Sequence, residues 1–85
     1  MRIVAVGRPD DTRGFALAGV EIASCQTERE AEAVVSALGA DASVGVVIVP
    51  AWLARVSPAL VERVRARRRA PVILALPDGG SEQGR

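Results

Sequence analysis

Thr27-Glu28-Arg29-Glu30-Ala31-Glu32-Ala33-Val34-Val35-Ser36-Ala37-Leu38-Gly39-Ala40-Asp41-Ala42-Ser43-Val44-Gly45-Val46-Val47-Ile48-Val49 reads as one helix followed by one strand. Thr27-Glu28-Arg29-Glu30 is a capping box: the Thr27 hydroxyl can accept from the Glu30 amide while the Glu30 carboxylate reaches back. Ala31, Val34, Val35 and Leu38 then fall at i, i+3, i+4 and i+7, one apolar helical face, with Glu28, Glu32 and Ser36 opposite. Gly39 is placed to stop the helix. Val44 to Val49 carries no polar side chain and is rich in Val and Ile, which suits a strand. An apolar strand without alternation needs cover on both faces, the situation of a parallel sheet between helix layers.

Three further apolar runs lie outside that stretch: Ile3–Gly7, Val20–Cys25 and Val72–Leu76. The first and last are apolar nearly throughout and call for cover on both faces. The second includes Glu21 and Ser24, which places it at an edge. Between the first two, Arg8–Gly19 holds a brief helix that Asp10 or Asp11 can cap, carrying Phe15 and Leu17 and ending at Gly19. From about Ala51 to Arg68, Leu53, Val56, Leu60 and Val64 line one side. Pro58 interrupts this stretch, with Ser57 before it as a natural N-cap. It reads as a short turn at 51–56 and a helix from 58, or as one kinked helix. The order β-α-β-α-β-α-β defines an α/β chain with a four-stranded parallel sheet, right-handed crossovers and helices on both faces. A flavodoxin-like (receiver-like) strand order, 2-1-3-4, is expected. Residues 1–78 form the globular domain, and 79–85 form a polar, glycine-rich tail expected to be mobile.

Composition narrows the chemistry. A chain of 85 residues, 49% hydrophobic, holds one core. The formal charge of +1 sets up no field toward nucleic acid or an anionic membrane. Cys25 is the only cysteine and there is no histidine, which excludes a disulfide framework, the usual zinc sites and His-based catalysis. All 11 basic residues are arginine. Coding bias toward GC-rich codons is the plain explanation, but no Schiff-base or phosphate-gripping lysine is left. Phe15 and Trp52 are the only aromatics, so base-stacking platforms for nucleic acid are missing. The longest apolar run, Val44 to Ala54, falls short of the ~20 residues of a membrane span. A cytoplasmic protein without direct membrane insertion is expected.

Each chemical candidate has a plain structural alternative. Gly7-Arg8-Pro9-Asp10-Asp11 sits where such sheets bind ligands, but Gly7 and Gly14 fit neither glycine-rich phosphate-loop pattern. A turn and helix cap accounts for it, and no cofactor is expected. Asp10-Asp11 resembles the acidic pair of response-regulator receivers. Those also need an aspartate after strand three, where Val49-Pro50 stands, and a lysine. Cys25 lacks an activating base and reads as a half-buried small residue. Arg63, Arg65, Arg67, Arg68 and Arg69 end a helix, where positive charge suits the dipole and solvent. An acidic protein partner is the alternative. Trp52, at the mouth of strand three, suits the core and an interface equally.

Gly7 through Val20 resembles the start of the F subunit of V-type (A-type) ATPases and ATP synthases, which typically reads G-D-x-D-T-x-x-G-F-x-L-A-G-[VI] after the first strand. Gly7, Asp10, Gly14, Phe15, Leu17, Ala18, Gly19 and Val20 match without a gap. Val44–Val49 resembles the family's third strand, and Pro71-Val72-Ile73-Leu74-Ala75-Leu76-Pro77 its fourth. The pattern departs at Arg8-Pro9, in the arginine-rich third helix broken by Pro58, and beyond strand four. There many members continue into a helix tied to regulation of hydrolysis. The resemblance implies a non-catalytic central-stalk component that binds the coiled-coil D subunit and turns with it inside the catalytic head. Such a component is peripheral on the cytoplasmic side of a membrane complex. Partner-binding candidates are Phe15, Leu17, Trp52, Val72, Ile73 and Leu74. A degenerate receiver-like interaction module and a small ligand-binding module using the Gly7–Gly14 loop are the competing readings.

Overall fold

β1 (Arg2–Gly7), α1 (Pro9–Leu17), β2 (Glu21–Ser24), α2 (Glu28–Gly39), β3 (Val44–Val49), α3 (Ala51–Val56), α4 (Pro58–Arg65) and β4 (Val72–Ala75) follow in order. The computed structural model describes residues 1–67 and 70–76. Arg68, Arg69 and 77–85, including the expected tail, lie outside the described residues. The four strands pair in parallel in the order β2-β1-β3-β4, as expected. The helix pair α3 and α4, broken at Ser57-Pro58, realises the turn-then-helix alternative.

Register decides which side chains share a face. Val4 pairs with Val47 and Val47 with Ile73; Ala5 pairs with Ile22 and Ile48, and Ile48 with Leu74. On the first face, Val4, Val6, Val47, Val49 and Ile73 form one core with Ala31 and Val35 of α2, Leu53 of α3, and Leu60, Val61 and Val64 of α4. A fully buried branched side chain contributes ~1.5–3 kcal/mol. Exposed ion pairs contribute ~0–1 kcal/mol each, so this sealed face dominates stability.

The second face is covered only in part. α1 packs on β1 and β2, and Ala5 beneath it is 1% exposed. Beyond β1, Val46 and Ile48 are half-buried, while Val72 is 57% and Leu74 50% exposed. The expectation of helices over both faces of the fourth strand is therefore corrected. Order 2-1-3-4 makes β4 an edge, and among the described residues no helix crosses to its second face.

The helix ends follow local chemistry with a few shifts from expectation. Thr27 Oγ1 accepts from the Glu30 amide at 3.1 Å, while Glu30 Oε1 reaches back one residue further, to the Gln26 amide at 2.7 Å. Arg8, not Asp10 or Asp11, takes the N-cap position of α1, with Pro9 at its first helical position. Asp11 reaches back and accepts the Arg8 amide at 2.9 Å. α1 ends at Leu17 with Ala18 as its C-cap, and Gly19, the expected stop, follows with φ +83°. The amides of Gly19 and Val20 bond the carbonyls of Ala16 and Phe15, the paired bonds of a Schellman motif. Ser57 keeps its capping position, but its hydroxyl donates to Glu32 Oε2, so Glu32 is drawn off the solvated helix face. Gly39 is the last residue of α2, not a stop beyond it, and it is buried.

At the amino end of the sheet, Arg2 ties three segments together. Its guanidinium grips the Glu21 carboxylate from two nitrogens and donates to Asp41 at 3.1 Å and to Ser43 Oγ at 2.9 Å. The Arg2 bond holds the Glu21 carboxyl below its ordinary range. The Ser43 hydroxyl and amide, with Arg2 behind them, do the same for Asp41. Both carboxylates titrate lower folded than unfolded. Their contribution is therefore present above the ordinary values of 4.5 and 3.8 and is lost as pH falls through the lower folded values. Arg2→Ala is expected to flatten the acid limb of a stability–pH profile, read by urea melts from about pH 3 to 7.

Gly39 gives a second test. A Cβ there would meet Val64 Cγ1 at 2.8 Å, and Val64 is a stiff, fully buried side chain. Gly39→Ala should therefore destabilise by about 1–3 kcal/mol through overpacking, despite alanine's ~1 kcal/mol better helix propensity. A gain in the urea midpoint would contradict the close approach.

Candidate functional site

Two places merit a functional reading: the crevice at the carboxyl ends of β1 and β3, and the bare half of the second sheet face. Strand order reverses between β1 and β3, which is where open α/β sheets hold ligands. In this chain that crevice is built from Gly7, Arg8 and Asp11 on one side and Trp52 on the other. The Trp52 indole Nε1–H donates to Asp11 Oδ2 at 2.9 Å, and the same oxygen accepts the Arg8 amide. The Arg8 guanidinium lies 4.4 Å from the Trp52 ring centroid, a cation–π contact. Gly7 makes the approach possible, because a Cβ on it would meet Asp11 Cβ at 2.8 Å. The indole, the carboxylate and the guanidinium thus lock α1 to α3 across the place a ligand would take.

Cys25 borders this lock. Its amide donates to the Gly7 carbonyl at 3.0 Å, and the residue is 2% exposed, more buried than expected. Burial pushes its thiol pKa up, and the Asp11 and Glu30 carboxylates add to that, with Arg8 opposing them. A thiol held protonated is a poor nucleophile. Asp10, the other half of the acidic pair, points to solvent and stands 3.8 Å from Arg13. The acidic pair is therefore split between a structural lock and the surface.

The bare half-face gathers Ile3, Val46, Ile48, Val72 and Leu74. Ile3 pairs with Val46 and Val46 with Val72, one row below Ile48 and Leu74. Of the six partner-binding candidates, Val72 and Leu74 lie on this face. Ile73 points the other way and is 5% exposed in the core. Leu17, 85% exposed, and the half-buried Phe15 lie on α1, which covers the neighbouring half. Trp52 sits in the lock, apart from both. Sequence reasoning misses Ile3, Val46 and Ile48, because an all-apolar strand does not reveal which of its two sets of side chains is left uncovered. The edge position of β4 supplies that signal. Arg63 and Arg67 stand exposed at and just beyond the end of α4, as a solvated helix end would, while Arg65 turns to the Ile73 carbonyl and Arg68 and Arg69 lie outside the described residues.

Fold and surface together define a small parallel α/β domain with one sealed and one half-open sheet face. The model of the ATP synthase (F/14-kDa) subunit family matches residues 3–85, and the chain belongs to that family, in the V/A-type lineage that residues 7–20 resemble. No curated protein matches it by sequence.

Asp11→Ala removes the acceptor shared by two donors. It should cost about 1–3 kcal/mol and shift the emission of the single tryptophan to the red. Unchanged emission would mean that the lock does not hold in solution.

Proposed function

We propose that this chain is a non-catalytic central-stalk component of a V/A-type ion-translocating ATPase or ATP synthase. In this reading it binds the coiled-coil D subunit and the catalytic head, and helps couple ATP turnover to ion transport from the cytoplasmic side of the membrane complex. Family membership supports a place among other protein subunits. The observation that carries the reading is the bare apolar half-face of Ile3, Val46, Ile48, Val72 and Leu74. A contiguous apolar patch of this kind marks a contact surface. It suits the apolar ridge of a helix laid over β3 and β4, where among the described residues the sheet has no helix of its own. Among the described residues, no helix is long and apolar enough to cross a membrane, so in this reading attachment runs through protein contact.

A receiver-like reading is less well supported. It would need the acidic pair free for chemistry, and Asp11 is already bonded to Trp52 and Arg8. A ligand module at the same crevice meets the same obstacle.

Co-expression with the coiled-coil stalk protein from the same source, followed by size-exclusion chromatography with light scattering, tests the proposal. Wild type should elute as a one-to-one complex. Leu74→Asp should weaken the complex at least about tenfold with an unchanged circular dichroism spectrum. Leu17→Ala, on the covered half, separates docking on α1 from docking on the sheet. Two separate peaks for a folded wild type would end the stalk reading, and a complex unaffected by Leu74→Asp would move the contact off this face.

A further inference from the structure

β4 is an outer strand, and among the described residues nothing pairs with its free side. The Leu76 amide donates to the Val49 carbonyl at 2.9 Å. Leu74 and Leu76 therefore turn their main-chain groups inward, and by alternation Ile73 and Ala75 turn theirs outward. A row of outward N–H and C=O groups is a template for another strand. This edge adds an incentive, since Val72 and Leu74 are half exposed beside it. A strand laid along β4 would gain main-chain bonds and prolong the apolar face at once. β4 of a second copy, brought up about a twofold axis, is the intruder best matched to it, because it carries the same open groups and the same apolar side.

Arg65 stands in the way. Its side chain leaves the last turn of α4, and Nη2 donates to the outward carbonyl of Ile73 at 3.0 Å. Nη1 lies 3.7 Å from Glu62, which steadies the guanidinium from one turn earlier. We propose that Arg65 guards this edge and keeps β4 from pairing with β4 of a second copy. It does so in two ways. It occupies an outward carbonyl that a paired strand would need, and in a twofold pair it would set two guanidinium groups close together. Sterics alone do not close the edge. A groove of about 150 Å³ lined by Ala54, Pro58, Val61, Glu62, Arg65 and Ala75 runs beside it and leaves room for an incoming side chain. The proposal is independent of the stalk reading and stands whether or not the coiled-coil protein binds.

Sedimentation velocity on the full chain over a concentration series tests it. Wild type should be monomeric. Arg65→Ala should dimerise with an apparent constant at least about tenfold tighter. Arg65→Met, which keeps the packed stem and loses the donor, should do the same and covers the case in which the alanine variant folds poorly. Adding Ala75→Pro to either variant removes an outward N–H that no bond among the described residues uses, and should restore the monomer. Folded variants as monomeric as wild type would overturn the proposal. So would dimers that survive Ala75→Pro, which would place association on the apolar face, and so would a wild type that already pairs through this edge.

Discussion

The handedness of the crossovers assigns each helix a side before any particular contact is considered. The step from β1 to β2 runs one way across the sheet, while the steps from β2 to β3 and from β3 to β4 run the other. Right-handed connections then place α1 on one face and α2, α3 and α4 on the opposite one. Three helices seal the first face completely. Among the described residues one helix covers half of the second, and the bare half over β3 and β4 follows from the connectivity of these elements rather than from weak sequence. Its side chains are as apolar as those of the core. Covering a half-exposed branched side chain recovers roughly half of its ~1.5–3 kcal/mol. A few such side chains come to no more than the lower part of the ~4–15 kcal/mol that association costs in lost freedom. The face therefore suits a partner held in register by a larger assembly better than it suits a free-standing dimer.

The order of elements is legible in the residues because each strand is a short Val/Ile run and each helix has a period or a cap of its own. The capping box at Thr27, the apolar positions of α2, the break at Ser57-Pro58 and the stop at Gly19 all depend on neighbours within a few residues, so local reading reaches them. What local reading does not reach depends on distant partners. Cover over β4 is one case, because an all-apolar strand looks the same whether one face or two are covered. Ile73 sits between Val72 and Leu74 in sequence, yet alternation along a strand sends it to the opposite face. Ser57 precedes its helix as a cap should, but Glu32 competes for the hydroxyl across 25 residues. Gly39 has the position of a terminator, and only the approach of Val64 shows its use as a space-maker.

The crevice shows the same division. That a glycine and an acidic pair stand at the carboxyl end of strand one is visible in the residues. That the carboxylate is already bonded to an indole 41 positions away is not. A ligand-binding corner of this topology would present free donors. Here Asp11 accepts from the Arg8 amide and the Trp52 ring, and the guanidinium closes over the indole. The two elements that flank the sheet's reversal point are held together by polar contacts in a partly buried setting. The corner ties the helices on the two sheet faces to each other and to the sheet.

The arginine-only composition takes on a structural meaning at three positions. Arg2 grips Glu21 from two nitrogens and still reaches Asp41 and Ser43. Arg8 lays a planar group over the Trp52 ring. Arg65 spans from the Ile73 carbonyl to Glu62 with two different nitrogens. Each uses the planar fork of the guanidinium, which a lysine ammonium, a single point charge, does not reproduce. Coding bias explains why arginine is plentiful, but it does not explain why these three make contacts that depend on the shape of the group. Arg63 and Arg67, exposed at the end of α4, show the contrast: there the positive charge suits the helix dipole and solvent, and lysine would serve as well.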